Sequence, residues 1–381
     1  MSARFVVPRL RRAGFAGALR GFVLGLAVLL VASACGGARR DSTPETVSPS
    51  APETVPPLTL ETVPRSTPTI PATGCDGGEI IGGTVVTCSV PGWSGRDFDL
   101  HVPDEYDPAR RWPVVIAYHG GGGTRQAGAR TSCPDGDLSD PGCLHALGMR
   151  EGFITVYPDG TSRGPAGRIR TWNAGGSGTL TCVVGAACEK GADDVAYTSA
   201  LLDVLDAHYT IEPRVIATGL SNGGAMAHRA GCDLSERVRV VVAFGGANQQ
   251  PGCIPTLPVS VMQVHGTEDP CWPFDGGALG GCFAGEALVS GVLETAQGWA
   301  GAQHCASPSE SMLLDRTDDG MTSEVTRWEG CDGGAVVELV TVIGGGHSWP
   351  MGYSVAPRIV GSITSDYSGS ELLWEFAQEI E

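Results

Sequence analysis

Gly219-Leu220-Ser221-Asn222-Gly223 is a G-x-S-x-G pentapeptide set between two different sequence patterns. Before it, Arg214-Val215-Ile216-Ala217-Thr218 is a run of β-formers. After it, Gly224-Ala225-Met226-Ala227-His228-Arg229-Ala230 reads as helix. A serine at the turn between strand and helix is lifted clear of the sheet. The flanking glycines remove Cβ atoms that would collide where strand and helix nearly touch. Gly and Ser also fill many ordinary turns, so the pentapeptide alone decides little. Its flanks make it a nucleophile elbow with Ser221 at the tip.

Two further strand patterns end in reactive side chains. Residues 258–264 lead into His265-Gly266-Thr267-Glu268-Asp269. Residues 336–342 lead into Gly344-Gly345-Gly346-His347-Ser348-Trp349-Pro350. Ser221, Asp269 and His347 thus each follow a strand, in the chain order of the α/β-hydrolases. In that chemistry His347 takes the Ser221 proton and returns it to the leaving alcohol. Asp269 holds the imidazole tautomer and stabilises the imidazolium. A third strand pattern, residues 112–118, runs into His119-Gly120-Gly121-Gly122-Gly123. One N–H of that glycine loop, Gly121 first and Gly122 second, is expected to form an oxyanion hole with the N–H of Asn222. His265 reads as a structural histidine hydrogen-bonded near the site.

Strands alternate with helices along the rest of the chain. Val195, Thr198, Leu202, Leu205 and Tyr209 recur at steps of three and four, predicting a helix over 193–209 with one buried face. Asp193 and Asp194 read as a pair at its N-terminus, where their charges suit the positive end. Helices are also expected over 286–300 and 371–379. The pattern predicts a mostly parallel sheet with helices on both faces, with active residues at the C-terminal ends of strands.

Composition narrows the function. The 381 residues carry a net charge of −17 and Lys190 is the sole lysine, which argues against nucleic acid as a partner. Residues 1–34 combine arginines, a short apolar run and Ala32-Ser33-Ala34, the pattern of an export signal. Cys35 follows at once. It is either a free thiol after ordinary cleavage or an acylated first residue tethering the protein to a bacterial membrane. Residues 36–73 are rich in Pro, Thr, Ser and Glu and read as a solvated linker. There are 13 cysteines. Setting Cys35 aside leaves an even number suited to disulfides in an oxidising compartment, which favours the tether. Their connectivity is open, and pairing of sequence neighbours is the economical expectation. With no C-x-x-C pair and no histidines at ligand spacing, no metal is expected.

These residues carry a resemblance. Tyr118-His119-Gly120-Gly121, Trp172-Asn173, Asp193-Asp194-Val195, the stretch 219–226, His265 to Asp269 and Gly345 to Pro350 resemble the motifs of a family of secreted esterases. That family groups polyhydroxybutyrate depolymerases with feruloyl and acetyl-xylan esterases. The resemblance runs from about Asp97 to the C-terminus. It implies an α/β-hydrolase fold in a single catalytic domain (74–381), the Ser221–Asp269–His347 triad and no cofactor. Pro270-Cys271-Trp272 departs from the family's simpler apolar turn, which leaves the local pocket shape open. Trp172 and Trp349 stand beside catalytic loops, either lining an acyl or aryl pocket or packing in the core.

The reading is an exported serine carboxylesterase, lipid-anchored through Cys35. Its expected substrates are hydroxyalkanoate oligomers or short esters, or alternatively feruloyl or acetyl esters on plant polysaccharide. The short stretch after His347 and the linker-like arm leave no module for gripping an insoluble polymer, which favours soluble substrates. Two other classes compete. A serine peptidase would use the same trio, but no second domain to gate peptides is legible. An inactive binding protein would not need every catalytic part.

Overall fold

The computed structural model describes Cys75 and residues 85–380, apart from 165–166, 184, 283–286, 310–311 and 355. The expected signal segment 1–34, Cys35 and the linker 36–73 lie outside the described residues. In chain order the strands are β1 (Val85–Ser89), β2 (Asp97–His101), β3 (Val114–Tyr118), β4 (Ile154–Pro158), β5 (Thr161–Ser162), β6 (Arg170–Thr171), β7 (Val215–Leu220), β8 (Val238–Phe244), β9 (Ser260–Gly266), β10 (Gly277–Ala278), β11 (Leu288–Val289), β12 (Met312–Leu314), β13 (Thr322–Trp328) and β14 (Val337–Ile343). The helices are α1 (Arg125–Thr131), α2 (Leu144–Glu151), α3 (Ala186–Glu189), α4 (Asp194–His208), α5 (Asn222–Asp233), α6 (Val292–Ala302), α7 (Pro357–Val360) and α8 (Gly369–Glu379).

One ten-stranded sheet organises the protein, in the order β1-β2-β4-β3-β7-β8-β9-β14-β13-β12. From β4 to β14 every neighbouring pair is parallel. The outer pairs on both sides are antiparallel. The central strands are near-continuous apolar runs because both of their faces are covered. Alternate side chains divide between two cores. Val114, Ile116 and Tyr118 of β3 join α4, α5 and α6, whereas Val115 and Ala117 join α1, α2 and α8. The expected α/β-hydrolase architecture, a mostly parallel sheet with helices on both faces, is what the chain forms.

Two expectations need correction. The helix expected from residue 286 begins at Val292. Leu288–Val289 pair instead with Gly277–Ala278 in an antiparallel ribbon, and Gly291 enters the helix in extended conformation. The pair Asp193-Asp194 is divided between two tasks. Asp193 caps α4, accepting the Ala196 N–H at 2.9 Å. Asp194 turns inward, fully buried, and pairs with Arg96 at 2.6 Å.

All six neighbour pairs form disulfides: Cys75–Cys88, Cys133–Cys143, Cys182–Cys188, Cys232–Cys253, Cys271–Cys282 and Cys305–Cys331. Each closes a short stretch of chain, so each pins a loop over a core that the sheet already supplies. Such a set belongs to a protein that folds in an oxidising compartment. Cys232–Cys253 spans 21 residues from the end of α5 to the loop after β8. Loop-closure entropy for that length gives a stabilisation of about 3 kcal/mol. Replacing both cysteines by serine is expected to lower the urea-unfolding free energy by that amount. A change within experimental error would mean that the bond does not restrain the unfolded chain as inferred.

Candidate active site

The site begins with a steric constraint. The β7–α5 turn packs against the end of β3, and a Cβ on Gly223 would sit 2.1 Å from the Tyr118 carbonyl oxygen. On the other side, a Cβ on Gly246 would sit 1.9 Å from the Ser221 carbonyl oxygen. Only glycine fits either place. Ser221 is squeezed between them at φ 63 and ψ −125, in a region that L-residues rarely adopt. Its N–H donates to Phe244 O at 2.8 Å, and its carbonyl accepts the Ala225 N–H at 3.0 Å. Its Oγ is left without a hydrogen bond to any described residue.

Asp269 follows β9 and His347 follows β14, neighbouring parallel strands. His347 Nδ1 donates to Asp269 Oδ2 at 2.7 Å. Nδ1 therefore carries the proton, and Nε2 is the basic nitrogen. The backbone holds the ring in place: His347 N–H donates to Val360 O at 2.6 Å, and Gly346 N–H to Ser362 O at 2.9 Å. Gly245, just after β8, lies against the ring, and a Cβ there would be 3.0 Å from Nδ1. Ser221 and His347 thus both lie against the segment that follows β8, at Gly246 and Gly245 respectively.

Asp269 is held by four N–H groups. Oδ1 accepts from the backbone of Cys271 at 2.7 Å and of Trp272 at 2.8 Å. Oδ2 accepts from His347, and His265 Nε2 lies 3.2 Å from it, sharing its one N–H between Oδ2 and Trp272 O at 2.9 Å. Burial alone would raise this carboxyl. The charge on His347 and the hydrogen bonds from His265 and His347 outweigh it and hold the group below the ordinary carboxylate range. Pro270-Cys271-Trp272, the departure from the resembled motif, thereby has a task. Its two N–H groups clamp the acid, and the Cys271–Cys282 bond anchors the clamp.

The oxyanion candidates sort themselves by their hydrogen bonds. Gly122 N–H is spent on Arg170 O at 2.7 Å, and Gly123 N–H on Gly120 O at 3.0 Å. The N–H groups of Gly121 and of Asn222, the first residue of α5, make no hydrogen bond to a described residue. The glycine loop is braced from behind by His119. Its Nε2 accepts the Gly160 N–H at 3.0 Å, so Nδ1 carries the proton and donates to Gly120 O at 2.8 Å. Asn222 is locked in both directions to the Trp172 backbone, accepting its N–H at 2.7 Å and donating to its carbonyl at 3.0 Å.

The two tryptophans do not form an open pocket wall. Trp172 is fully buried behind the oxyanion loop, with its indole N–H on His119 O at 2.9 Å. Trp349 is 3% exposed and stacks on Phe244 at 4.0 Å between centroids. Both fall on the core-packing side of the sequence reading. A chain of buried polar groups escaped that reading. His265 leads through Gln263 and His228 to Trp299 on α6. Its signal is present in β9, where Gln263 and His265 interrupt an apolar strand at alternate positions, on one face.

This arrangement can do nucleophilic acyl transfer. A serine oxygen sits at a strained turn, an imidazole whose Nδ1 is bonded to the acid lies against the end of β8, and two N–H donors flank the serine. Its buried histidines set a pH range for folding. Burial lowers His119 and His228 to about 4, against hydrogen bonds that would raise them. Both fold as neutral rings, whereas the unfolded chain protonates them near the ordinary value of about 6.5. Their contribution to stability is complete above about pH 6.5 and is lost as pH falls towards 4. Burial also lowers His101, to about 3, so nuclear magnetic resonance should find at least three imidazoles still neutral at pH 5 in the folded protein. Titration of all histidines near 6.5 would contradict the burial argument.

Known proteins were compared with the chain. No family model matches it. It is 26% identical over 263 residues to Feruloyl esterase B of Piromyces equi, covering 66% of this chain and 42% of that protein, less than half its length. It is 27% identical over 369 residues to Putative esterase NocK of Nocardia uniformis subsp. tsuyamanensis, covering 93% of this chain and 96% of that protein. Probable feruloyl esterase C of Aspergillus niger is 24% identical over 237 residues, covering 60% and 77%. Among solved structures, the acetyl xylan esterase from Aspergillus awamori aligns at 17% identity and a TM-score of 0.45, covering 66% of this chain and 89% of that one. The resemblance to esterases that the motifs carried is thus met again in whole-sequence comparison.

Proposed function

We propose that this chain is an exported serine carboxylesterase working through an acyl-enzyme. The observation that carries the proposal is the buried His347–Asp269 hydrogen bond beside Ser221 at a left-handed turn. Ser221 Oγ attacks the ester carbonyl carbon while His347 Nε2 removes its proton. The N–H groups of Gly121 and Asn222 hold the negative oxygen. The C–O bond to the alcohol breaks, and the alcohol leaves with the proton from His347. Water, deprotonated by the same nitrogen, then releases the acid and regenerates Ser221. Asp269 keeps its charge throughout and supports the imidazolium.

Two acyl classes are compatible with this site: hydroxyalkanoate oligomers and short esters, and feruloyl or acetyl esters on polysaccharide. The names borne by the curated relatives support the second. The proposal extends to the N-terminus, where Cys35 would be acylated and residues 36–73 would tether the catalytic domain, 74–381, to a membrane. Two lipid chains are sufficient for stable anchoring. The partners are then an ester substrate and, through the anchor, a lipid bilayer.

Ser221→Ala, Asp269→Asn and His347→Ala should each lower turnover of a chromogenic short-chain ester by roughly 10⁴-fold with the fold intact. Casein digestion exceeding ester turnover would favour a peptidase instead, and full ester turnover by Ser221→Ala would refute the serine mechanism. A panel of hydroxybutyrate oligomers, methyl ferulate and acetylated xylan separates the acyl classes. For the anchor, Cys35→Ala should move the protein from the detergent phase to the soluble secreted fraction. An unmodified Cys35 on protein from culture fluid would defeat the tether and leave the catalytic proposal standing.

A further inference from the structure

Asp269 has a second histidine, and the proton positions around it are fixed from two directions. Trp299 lies on α6, and an indole nitrogen only donates. Its Nε1–H points at His228 Nδ1, 3.1 Å away on α5. His228 Nδ1 must therefore be the lone-pair nitrogen, which puts the proton of the neutral ring on Nε2. That proton goes to Gln263 Oε1 at 2.7 Å. The amide orientation follows: Gln263 Nε2 faces the other way, towards His265 Nδ1 at 3.4 Å. His265 Nδ1 accepts, and its proton resides on Nε2.

The same conclusion comes from the other end. His265 Nε2 lies 2.9 Å from Trp272 O and 3.2 Å from Asp269 Oδ2. A carbonyl and an ionised carboxylate only accept, so Nε2 must donate. One directed chain thus runs from Trp299 through His228, Gln263 and His265 to the carboxylate that serves His347. His228, Gln263 and His265 are all at most 2% exposed, and Gln263 and His265 share one face of β9. Phe274 closes one side of the His265 ring, with centroids 6.1 Å apart. Within this hydrogen-bonded network the titratable groups facing His265 are Asp269, His347 beyond it and His228 beyond Gln263.

We propose that His265 is a positioning residue of the reaction, and that the Trp299–His228–Gln263 chain holds it as an N–H donor to the acid. His265 shares Oδ2 with His347, and with the Cys271 and Trp272 N–H groups it leaves the carboxylate one orientation. By taking part of the Oδ2 charge, it also limits how strongly Asp269 favours protonated His347. The proposal rests on the Ser221–Asp269–His347 reading and adds the residue that sets the basicity of His347.

The test uses the full secreted protein, p-nitrophenyl acetate and pH profiles of kcat/KM. His265→Leu should lower kcat by roughly 10- to 100-fold with KM little changed, the size of one lost hydrogen bond to a charged group. Its acid limb should move to higher pH, because the carboxylate gives more of its charge to His347. His265→Gln, which returns an N–H at the reach of Nε2, should restore both. Gln263→Glu should reverse the sign. Its carboxylate favours a proton taken from solvent onto His265 Nδ1 and accepts the hydrogen bond from it, while Nε2 keeps its own proton. His265 is then cationic, and the acid limb moves to lower pH. A purely structural role would not reverse the direction. A His265→Leu protein with wild-type kcat and an unmoved acid limb overturns the proposal. If His265→Leu does not fold, an unmoved limb in Gln263→Glu does the same. Activity surviving in Ser221→Ala would instead overturn the underlying reading, so the two failures are distinct.

Discussion

The close approach of α5 to the end of β3 is the constraint from which the site follows. Gly223 lies so near the Tyr118 carbonyl that no side chain fits, and Gly246 closes on Ser221 from the other flank. The chain has no room to turn from β7 into α5 through ordinary backbone angles, so Ser221 adopts φ 63. The strain costs on the order of 1–3 kcal/mol. The packing of α5 between two parallel strands offsets it: Ala225, Met226, Ala227 and Ala230 are all fully buried. Once the turn is fixed, its other properties are geometric. Ser221 stands at the C-terminal end of the central strand β7, and the first N–H of α5 opens beside it. The His119–Gly123 loop is then delivered by the adjacent strand.

Charge is handled differently on the two sides of that turn. On the acid side a single carboxylate is ringed by four N–H donors and no arginine or lysine. That suits a group that must stay ionised yet leave its charge available to an imidazolium. Behind the His119–Gly123 loop the protein uses full ion pairs. Arg96 meets Asp194 at 2.6 Å, and Asp159 receives Arg125 at 2.7 Å and Arg170 at 3.3 Å. Asp194 also accepts the Asn173 N–H, tying the segment after Trp172 to α4. Arg96 and Asp194 are both buried, so breaking that pair would cost about 3–5 kcal/mol, whereas Arg125 is only half-buried. Their role is to hold backbone in position, and nothing in the proposed acyl-transfer chemistry draws on their charge.

Sequence was informative where a local rule acts alone. The elbow was legible because the glycine spacing and the switch from strand to helix are both local. Asp269 and His347 were legible because a strand ending in a reactive side chain is a local pattern. The disulfides were legible because all six join sequence neighbours. The misreadings arise where a distant partner decides. The segment 287–291 opens with the helix formers Ala287 and Leu288, but Leu288–Val289 finds Gly277–Ala278 and becomes a strand. Asp194 looks like its neighbour Asp193 until Arg96 arrives from the loop before β2. Trp172 reads equally as pocket wall or core until its indole and backbone are seen to be consumed by His119 and Asn222. Gln263 is the subtler case. A lone glutamine in an apolar strand is visible in sequence, but its partner His228 sits on another element and shows no spacing relation to it.

The disulfides complete the division of labour. Ser221 and the oxyanion loop leave strands buried on both faces, so the sheet itself fixes them. Asp269 has less support, since the loop after β9 runs through irregular chain from Thr267 to Gly276. There a covalent bond takes over. Cys271 is at once a donor to Asp269 Oδ1 and half of the Cys271–Cys282 bridge. A cross-link placed at the donor itself restrains the acid more directly than one elsewhere in the loop. Reduction would free the segment that supplies two of the four N–H groups, while leaving the elbow untouched. Asp269, rather than Ser221, is therefore the member of the candidate site whose geometry depends on the oxidising compartment in which the protein folds.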